Sequence, residues 1–201
     1  MAAGRRAQQR ERMRERLLAA ALELFEAQGY DATTIDQIAE QADVARQTVL
    51  NHYPAKKDFV AAWGAARRSQ LAPLAETPAE SVGAGLHRIM DTLAEINVRE
   101  NTLTRQLREQ RIVPQPIPEA MLRVLREARG RGELADSVDP QVAAEIVAGV
   151  YFDTLSRWLA GDEPGFDLRQ ALNDRLDLVL NGLAAKPPGI TLTPGMLGNS
   201  A

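Results

Sequence analysis

Cysteine is absent from the 201 residues. Disulfides, thiolate metal sites and cysteine nucleophiles are therefore excluded, and a reducing cytoplasm is compatible with that absence. The two histidines, His52 and His87, lie far apart. No nucleophile–base pattern, Gly-rich phosphate loop or metal-spaced cluster accompanies them. The expectation is a protein with no catalytic residues, no metal and no cofactor. Aromatics make up only 4% of the chain, and few β-branched or aromatic residues alternate, so strands are poorly supported. No apolar run reaches the length of about 18 residues that a membrane span needs. The arginine-rich start is followed by no apolar stretch, which argues against a signal peptide.

What is present is helix-forming. The chain is 45% hydrophobic, mostly Ala, Leu and Val, enough to bury a core. Net charge is −3, but it is unevenly spread: residues 1–70 carry 11 Lys and Arg against 9 Asp and Glu, and the remainder 13 against 18. A mildly basic first third on an acidic remainder is the asymmetry expected when one end meets nucleic acid. Six arginines fall within the first sixteen residues, either as a solvated terminus or as a phosphate-seeking arm.

Apolar spacing predicts an all-α fold of about nine helices. A first helix spans roughly 9–28, ended by Gly29, with an arm at 1–8 before it. Thr34 and Gln37 read as a capping box for a helix at about 35–41. A short helix follows at 45–52, stopped by Pro54, and another runs to about Leu71 before Pro73 and Pro78. Longer helices are expected near 79–97, 101–112, 118–131, 140–160 and 167–185. Asp139 caps the fourth of these and Pro140 takes its first position. The division is a three-helix unit at 1–54, a larger helical unit at 55–185 and a flexible tail at 186–201.

The stretch "TTIDQIAEQADVARQTVLNHYPAKKDF", residues 33–59, carries the functional signal. On the helix at 45–52, Ala45, Thr48, Val49 and His52 share one side, and Arg46, Gln47, Leu50 and Asn51 share the other. Val49 alone is a strong core residue, so the helix must be propped by its neighbours. The opposite side offers a bidentate fork to guanine, two amides to adenine and an apolar contact for a thymine methyl. Thr33 and Thr34 open one helix, where hydroxyl and free N–H groups suit a phosphate. Lys56 and Lys57 open the next, where the macrodipole disfavours cations unless an anion lies between them. An ordinary polar surface on a small bundle is the alternative.

Residues 29–59 resemble the TetR family of bacterial transcriptional regulators. Ile38, Ala39, Ala42, Val44, Thr48, Asn51, Tyr53, Pro54, Lys56 and Asp58 fit its helix-turn-helix pattern. Three residues depart from it: Asp43 stands where Gly is usual, Ala45 replaces a capping Ser, and Leu50 replaces a Tyr. The resemblance implies phosphate roles for Thr34, His52 and Lys56 and base-reading roles for Arg46, Gln47 and Asn51, with Thr33, Thr48 and Leu50 beside them. It also implies a homodimer on a palindromic double-stranded DNA operator, and a small-molecule effector of unknown identity held in the larger helical domain.

In the remaining two thirds, the helix at 140–160 is apolar nearly all round and the last helix has a clean apolar stripe. Val147, Tyr151, Leu155, Trp158, Leu172, Leu176, Val179 and Leu183 are candidates for a symmetric four-helix dimer interface, or else for the core of one monomer. Trp63, Met90, Leu93, Tyr151 and Phe152 are candidates for lining an effector pocket, or again for plain core. His87 and Arg88 beside an apolar stripe read as structural. Little charge interrupts the apolar faces, which points to a hydrophobic or neutral effector. The reading that results is a cytoplasmic, ligand-responsive repressor without enzyme activity. An effector-free DNA-binding adaptor or architectural protein is the alternative.

Overall fold

The computed structural model describes residues 2–109, 118–161 and 165–182. Among them are nine helices: α1 Ala2–Gln28, α2 Ile35–Gln41, α3 Arg46–His52, α4 Lys56–Glu76, α5 Val82–Arg99, α6 Asn101–Glu109, α7 Pro118–Gly130, α8 Pro140–Trp158 and α9 Leu168–Asn181. The expected tail at 186–201 and Leu183 lie outside the described residues.

Most ends follow the signals in the sequence. Gly29 takes φ 91 just past α1, a left-handed position that glycine adopts without a Cβ penalty. Thr34 and Gln37 form the reciprocal capping box at α2. Asp139 accepts from the Gln141 amide (2.8 Å) and Asp167 from the Gln170 amide (2.7 Å). Two ends differ. α1 begins at Ala2 rather than near residue 9, so the expected arm at 1–8 is mostly helix. Arg5, Arg6, Ala7 and Gln8 are good helix formers, but they are exposed and show no apolar period. α4 continues through Pro73 to Glu76. Pro73 and Ser69, whose carbonyl loses its helical partner there, are both exposed near the end of the helix, where the defect is mild.

Two hydrophobic cores form. The first gathers Leu17, Ala21 and Phe25 of α1, Ile38 and Ala39 of α2, Val49 of α3, Phe59, Val60 and Trp63 of α4, and Leu103 and Leu107 of α6. Tyr53 stacks on Phe59 at 4.1 Å between ring centroids, and Phe25 meets Phe59 edge-on at 6.5 Å. The second core joins Leu71 of α4 to Leu86, Ile89, Met90 and Leu93 of α5, Met121 of α7, and the inner faces of α8 and α9. Close approach of α5 and α7 requires Gly85, where a Cβ would stand 2.8 Å from Val124 Cγ1. α4 contributes to both cores, so the smaller unit is joined to the larger by a continuous helix.

The turn between α2 and α3 carries two local defects. Asp43 is held at φ 49, a conformation that costs an L-residue free energy. Ala45 occupies the N-cap of α3 and has no side-chain cap bond. Asp43→Gly and Ala45→Ser are each expected to stabilise the chain by about 1 kcal/mol, raising the melting temperature by about 2–4 °C. Thermal melts followed by circular dichroism check this; an unchanged midpoint in both would contradict the account of the turn.

Candidate nucleic-acid interface

α3 is too short to hold itself. Its one buried side chain is Val49, fully enclosed by the first core. The rest of its support comes from α1. Arg14 Nη1 donates to the His52 carbonyl at 3.0 Å, and its guanidinium lies 4.6 Å from the Tyr53 ring centroid. The Tyr53 hydroxyl donates back to the Arg14 carbonyl at 3.2 Å. Arg16 donates from Nε to the Ala42 carbonyl at 2.9 Å and from Nη2 to the Asp43 carbonyl at 3.1 Å. The two arginines satisfy carbonyls left open at the ends of α2 and α3. Sequence reasoning missed both roles; only the excess of arginine hinted at them.

What α3 presents matches the expectation. Arg46, Gln47 and Asn51 are exposed, while Thr48, Leu50 and His52 are half-buried at the margins. Gln47 Nε2 donates to Asn51 Oδ1 at 3.0 Å, holding two amide edges on one face. Arg46 Nε pairs with Asp36 Oδ1 at 2.9 Å, with side chains 59% and 72% exposed. Such a solvated pair contributes at most about 1 kcal/mol, so Arg46 can exchange it for a base edge.

The expected phosphate contacts divide differently. Thr34 is exposed at the start of α2. Thr33 is only 1% exposed; its hydroxyl donates to the Gly29 carbonyl at 2.8 Å and accepts from Gln28 Nε2 at 3.2 Å. Lys56 Nζ donates to the carbonyls of Tyr30 (2.5 Å), Asp31 (3.2 Å) and Thr33 (3.0 Å), and sits 4.3 Å from the Tyr30 ring centroid. Its three ammonium protons all have acceptors in the loop between α1 and α2. Thr33 and Lys56 thus hold that loop, where the sequence suggested outward-facing contacts. Burial, then the charges of Arg10 and Arg14, lowers the His52 pKa. Its imidazole therefore stays neutral at pH 7, so any phosphate contact from it is a neutral N–H bond.

In the larger unit, Trp63, Met90, Leu93 and Tyr151 are buried and Phe152 is half-buried. They pack into the two cores. A polar network crosses between these cores. Arg67 Nη2 donates to Asn97 Oδ1 at 2.8 Å, Asn97 Nδ2 to the Tyr151 hydroxyl at 2.9 Å, and Trp63 Nε1 to Glu100 Oε2 at 3.0 Å. A cleft of about 330 Å³ opens instead between α4 and α7. Ala65, Leu71, Ala72 and Ala120 supply its apolar wall, and Arg68, Arg123, Glu76 and Glu119 a rim of mixed charge in which Arg123 pairs with Glu76 at 2.8 Å. None of the five residues proposed from sequence lines it. His87 is structural, as expected, with ring nitrogens 2.7 Å from Asn173 Oδ1 and 2.9 Å from Asp177 Oδ1 on α9.

The dimer candidates require a correction. Val147, Tyr151, Leu155, Trp158, Leu172 and Leu176 are at most 6% exposed within one chain, so they have almost no surface to offer a partner. They form the monomer core. Val179 is 41% exposed, and Val142, Ile146 and Leu178 are exposed beside it in the fold at 51%, 53% and 54%. α9 follows α8 after a short connection and packs along it, which brings the start of α8 and the end of α9 to the same end of the pair.

Residues 17–63 match the family profile described as bacterial regulatory proteins, tetR family. The head of this chain is thus similar to the TetR family. The regulator TcmR of Streptomyces glaucescens is 44% identical over 55 residues, 27% of this chain and 24% of that protein; the chain thus matches about a quarter of that relative. The fatty acid metabolism regulator protein of Bacillus subtilis is 22% identical over 186 residues, 85% of this chain and 95% of that one. The crystal structure of Thermus thermophilus FadR, a TetR-family repressor in complex with lauroyl-CoA, superposes with a TM-score of 0.70 at 28% identity, covering 90% of this chain and 99% of that one. The helix-turn-helix head and the larger helical unit described above share the fold of that repressor. No helix among the described residues is long and apolar enough to cross a membrane.

Three substitutions separate reading from holding. Arg46→Ala is expected to weaken binding to a cognate duplex by about 1–3 kcal/mol and to relax one base position, with random DNA little affected. Equal loss on cognate and random duplexes in fluorescence anisotropy would contradict the base-reading role. Lys56→Met is expected to lower the melting temperature by several degrees through the loss of three charge-assisted bonds, whereas Lys57→Met leaves it unchanged.

Proposed function

We propose that this chain is a ligand-responsive transcriptional repressor, acting in the cytoplasm, that binds a palindromic operator as a homodimer and is released by an acyl-CoA effector. The observation that carries the DNA-binding part is the α3 face: Arg46, Gln47 and Asn51 stand exposed on a helix fixed by Val49, Arg14 and Arg16. One such helix reads only a few base pairs. Two heads on a two-fold axis read half-sites about 34–36 Å apart.

The homodimer draws support from Val142, Ile146, Leu178 and Val179, the exposed apolar residues of α8 and α9. Four of the five large apolar residues exposed among the described residues fall on these two helices, and a two-fold contact between like faces is the commonest closed arrangement. The effector class draws support from the T. thermophilus FadR–lauroyl-CoA complex and from the cleft at α4 and α7. An apolar wall suits an acyl chain, and Arg68 at the rim offers a cation to its anionic carrier, whereas Arg123 is paired with Glu76. At about 330 Å³ the cleft is at the small end of ligand sites. An effector that prefers a more open cleft shifts the population toward a conformer with differently placed heads, because α4 belongs to both the cleft and the head core.

Titrating lauroyl-CoA into a complex of protein and labelled cognate duplex is expected to release the DNA, whereas CoA alone is not. No release by acyl-CoAs of any chain length would remove the effector assignment. Ile146→Arg is expected to give a monomer in analytical ultracentrifugation with weakened operator binding. Val98→Arg, equally exposed on α5, is expected to leave the dimer intact. A dimeric Ile146→Arg would move the interface elsewhere.

A further inference from the structure

The first turns of α1 extend beyond the head core, and their arginines behave differently from those further along. Arg14 and Arg16 are bonded to backbone carbonyls. Arg5, Arg6, Arg10 and Arg12 are exposed, and none makes a hydrogen bond or ion pair with a described residue. Most other described arginines do, on their own helix or a neighbour. No acidic residue stands in the first turn of α1. Cations crowded toward a helix N-terminus oppose the macrodipole and repel one another. The arrangement is unfavourable for the isolated chain and becomes favourable once anions are supplied.

Helical spacing sets where the charges go. The α1 face that supplies Leu17, Ala21 and Phe25 to the core continues toward the N-terminus as Met13, Arg10, Gln9 and Arg6. Those four residues lie across a groove from Thr48, Asn51 and His52 of α3. The groove measures about 340 Å³. His52 Nδ1, on its α3 side, is buried and has no hydrogen-bond partner. Asn51 is shared between this groove and the face that α3 offers to bases, so whatever fills the groove lies directly beside the nucleic acid that α3 reads.

We propose that this groove is a backbone-phosphate site: Arg6 and Arg10, with the polar α3 side chains opposite, grip phosphodiester groups of the operator strand flanking the major groove that α3 occupies. This rests on the DNA-binding reading above and extends the footprint of each head beyond the helix-turn-helix motif. Guanidinium forks match phosphate oxygens bidentately. Such contacts position the protein on the duplex without reading sequence.

The test is the salt dependence of binding by the full-length protein, measured on a duplex it selects from random DNA and on a random duplex. Each phosphate contact contributes about 0.9 to the slope of log affinity against log salt. Arg6→Gln with Arg10→Gln is expected to reduce the slope by about two per head, to weaken selected and random duplexes by the same factor, and to leave the preferred sequence unchanged. Arg6→Lys with Arg10→Lys keeps the charge and is expected to keep the slope. These side chains are exposed and unpaired, so the Lys variant is expected to keep the melting temperature and the Gln variant to keep or slightly raise it. An undiminished slope in the Gln variant, with wild-type protein still selecting a sequence, would overturn the phosphate site and leave the function standing. Loss confined to the selected duplex would overturn it as well, because it would make these residues base readers. Failure of the wild-type protein to bind any duplex would overturn the DNA-binding reading and this site with it.

Discussion

The fold depends on the seating of one valine. α3 is seven residues long, shorter than any helix that persists alone in water. Its hold on the head is Val49, enclosed by α1, α2 and the start of α4. Everything that α3 can do at its surface requires that contact, because only a fixed helix presents Arg46, Gln47 and Asn51 as a face. The remaining bonds around it serve the same end. Arg14 and Arg16 clamp the carbonyls at 52, 42 and 43, and Lys56 gathers those of residues 30, 31 and 33. Positive charge in this head is therefore divided: some of it ties backbone together, Arg46 pairs with Asp36, and Arg5, Arg6, Arg10 and Arg12 are exposed at the start of α1.

α4 transmits that fixity to the larger domain. Phe59, Val60 and Trp63 belong to the head core, and Leu71 to the body core. Between them Arg67 is mostly buried, its side chain 11% exposed beside Glu100 at 3.7 Å. Burial lowers its pKa, while Tyr151 and Glu100 act in the opposite direction. A buried charge tolerates little displacement of its partners. The network through Asn97 to Tyr151 consequently links α4, α5 and α8 at the boundary between the two cores.

Much of this was legible in the sequence, for reasons specific to each element. The capping box at Thr34, the cap at Asp139 and the glycine after α1 are local signals, so those helix ends were placed closely. The α3 face was legible because an amphipathic seven-residue helix leaves few alternatives for Arg46, Gln47 and Asn51. The first turns of α1 were not, since apolar periodicity reports only residues that meet a core. Lys56 and Thr33 were misjudged because a charge or hydroxyl at a helix start looks outward until the carbonyls of a distant loop converge on it. The apolar stripes of α8 and α9 suggest, from sequence, a dimer interface or a monomer core. They report burial, and burial within one chain accounts for them. The surface left for a partner is the sparser set at Val142, Ile146, Leu178 and Val179, which no period in the sequence marks.

The central claim is that a propped α3 reads bases in pairs. Selection of bound fragments from random duplex DNA by the purified full-length protein tests it most directly. The account predicts enrichment of an inverted repeat whose half-sites are centred about one helical turn, or a whole number of turns, apart. Recovery of fragments with no common sequence, or of a single half-site without symmetry, would contradict it.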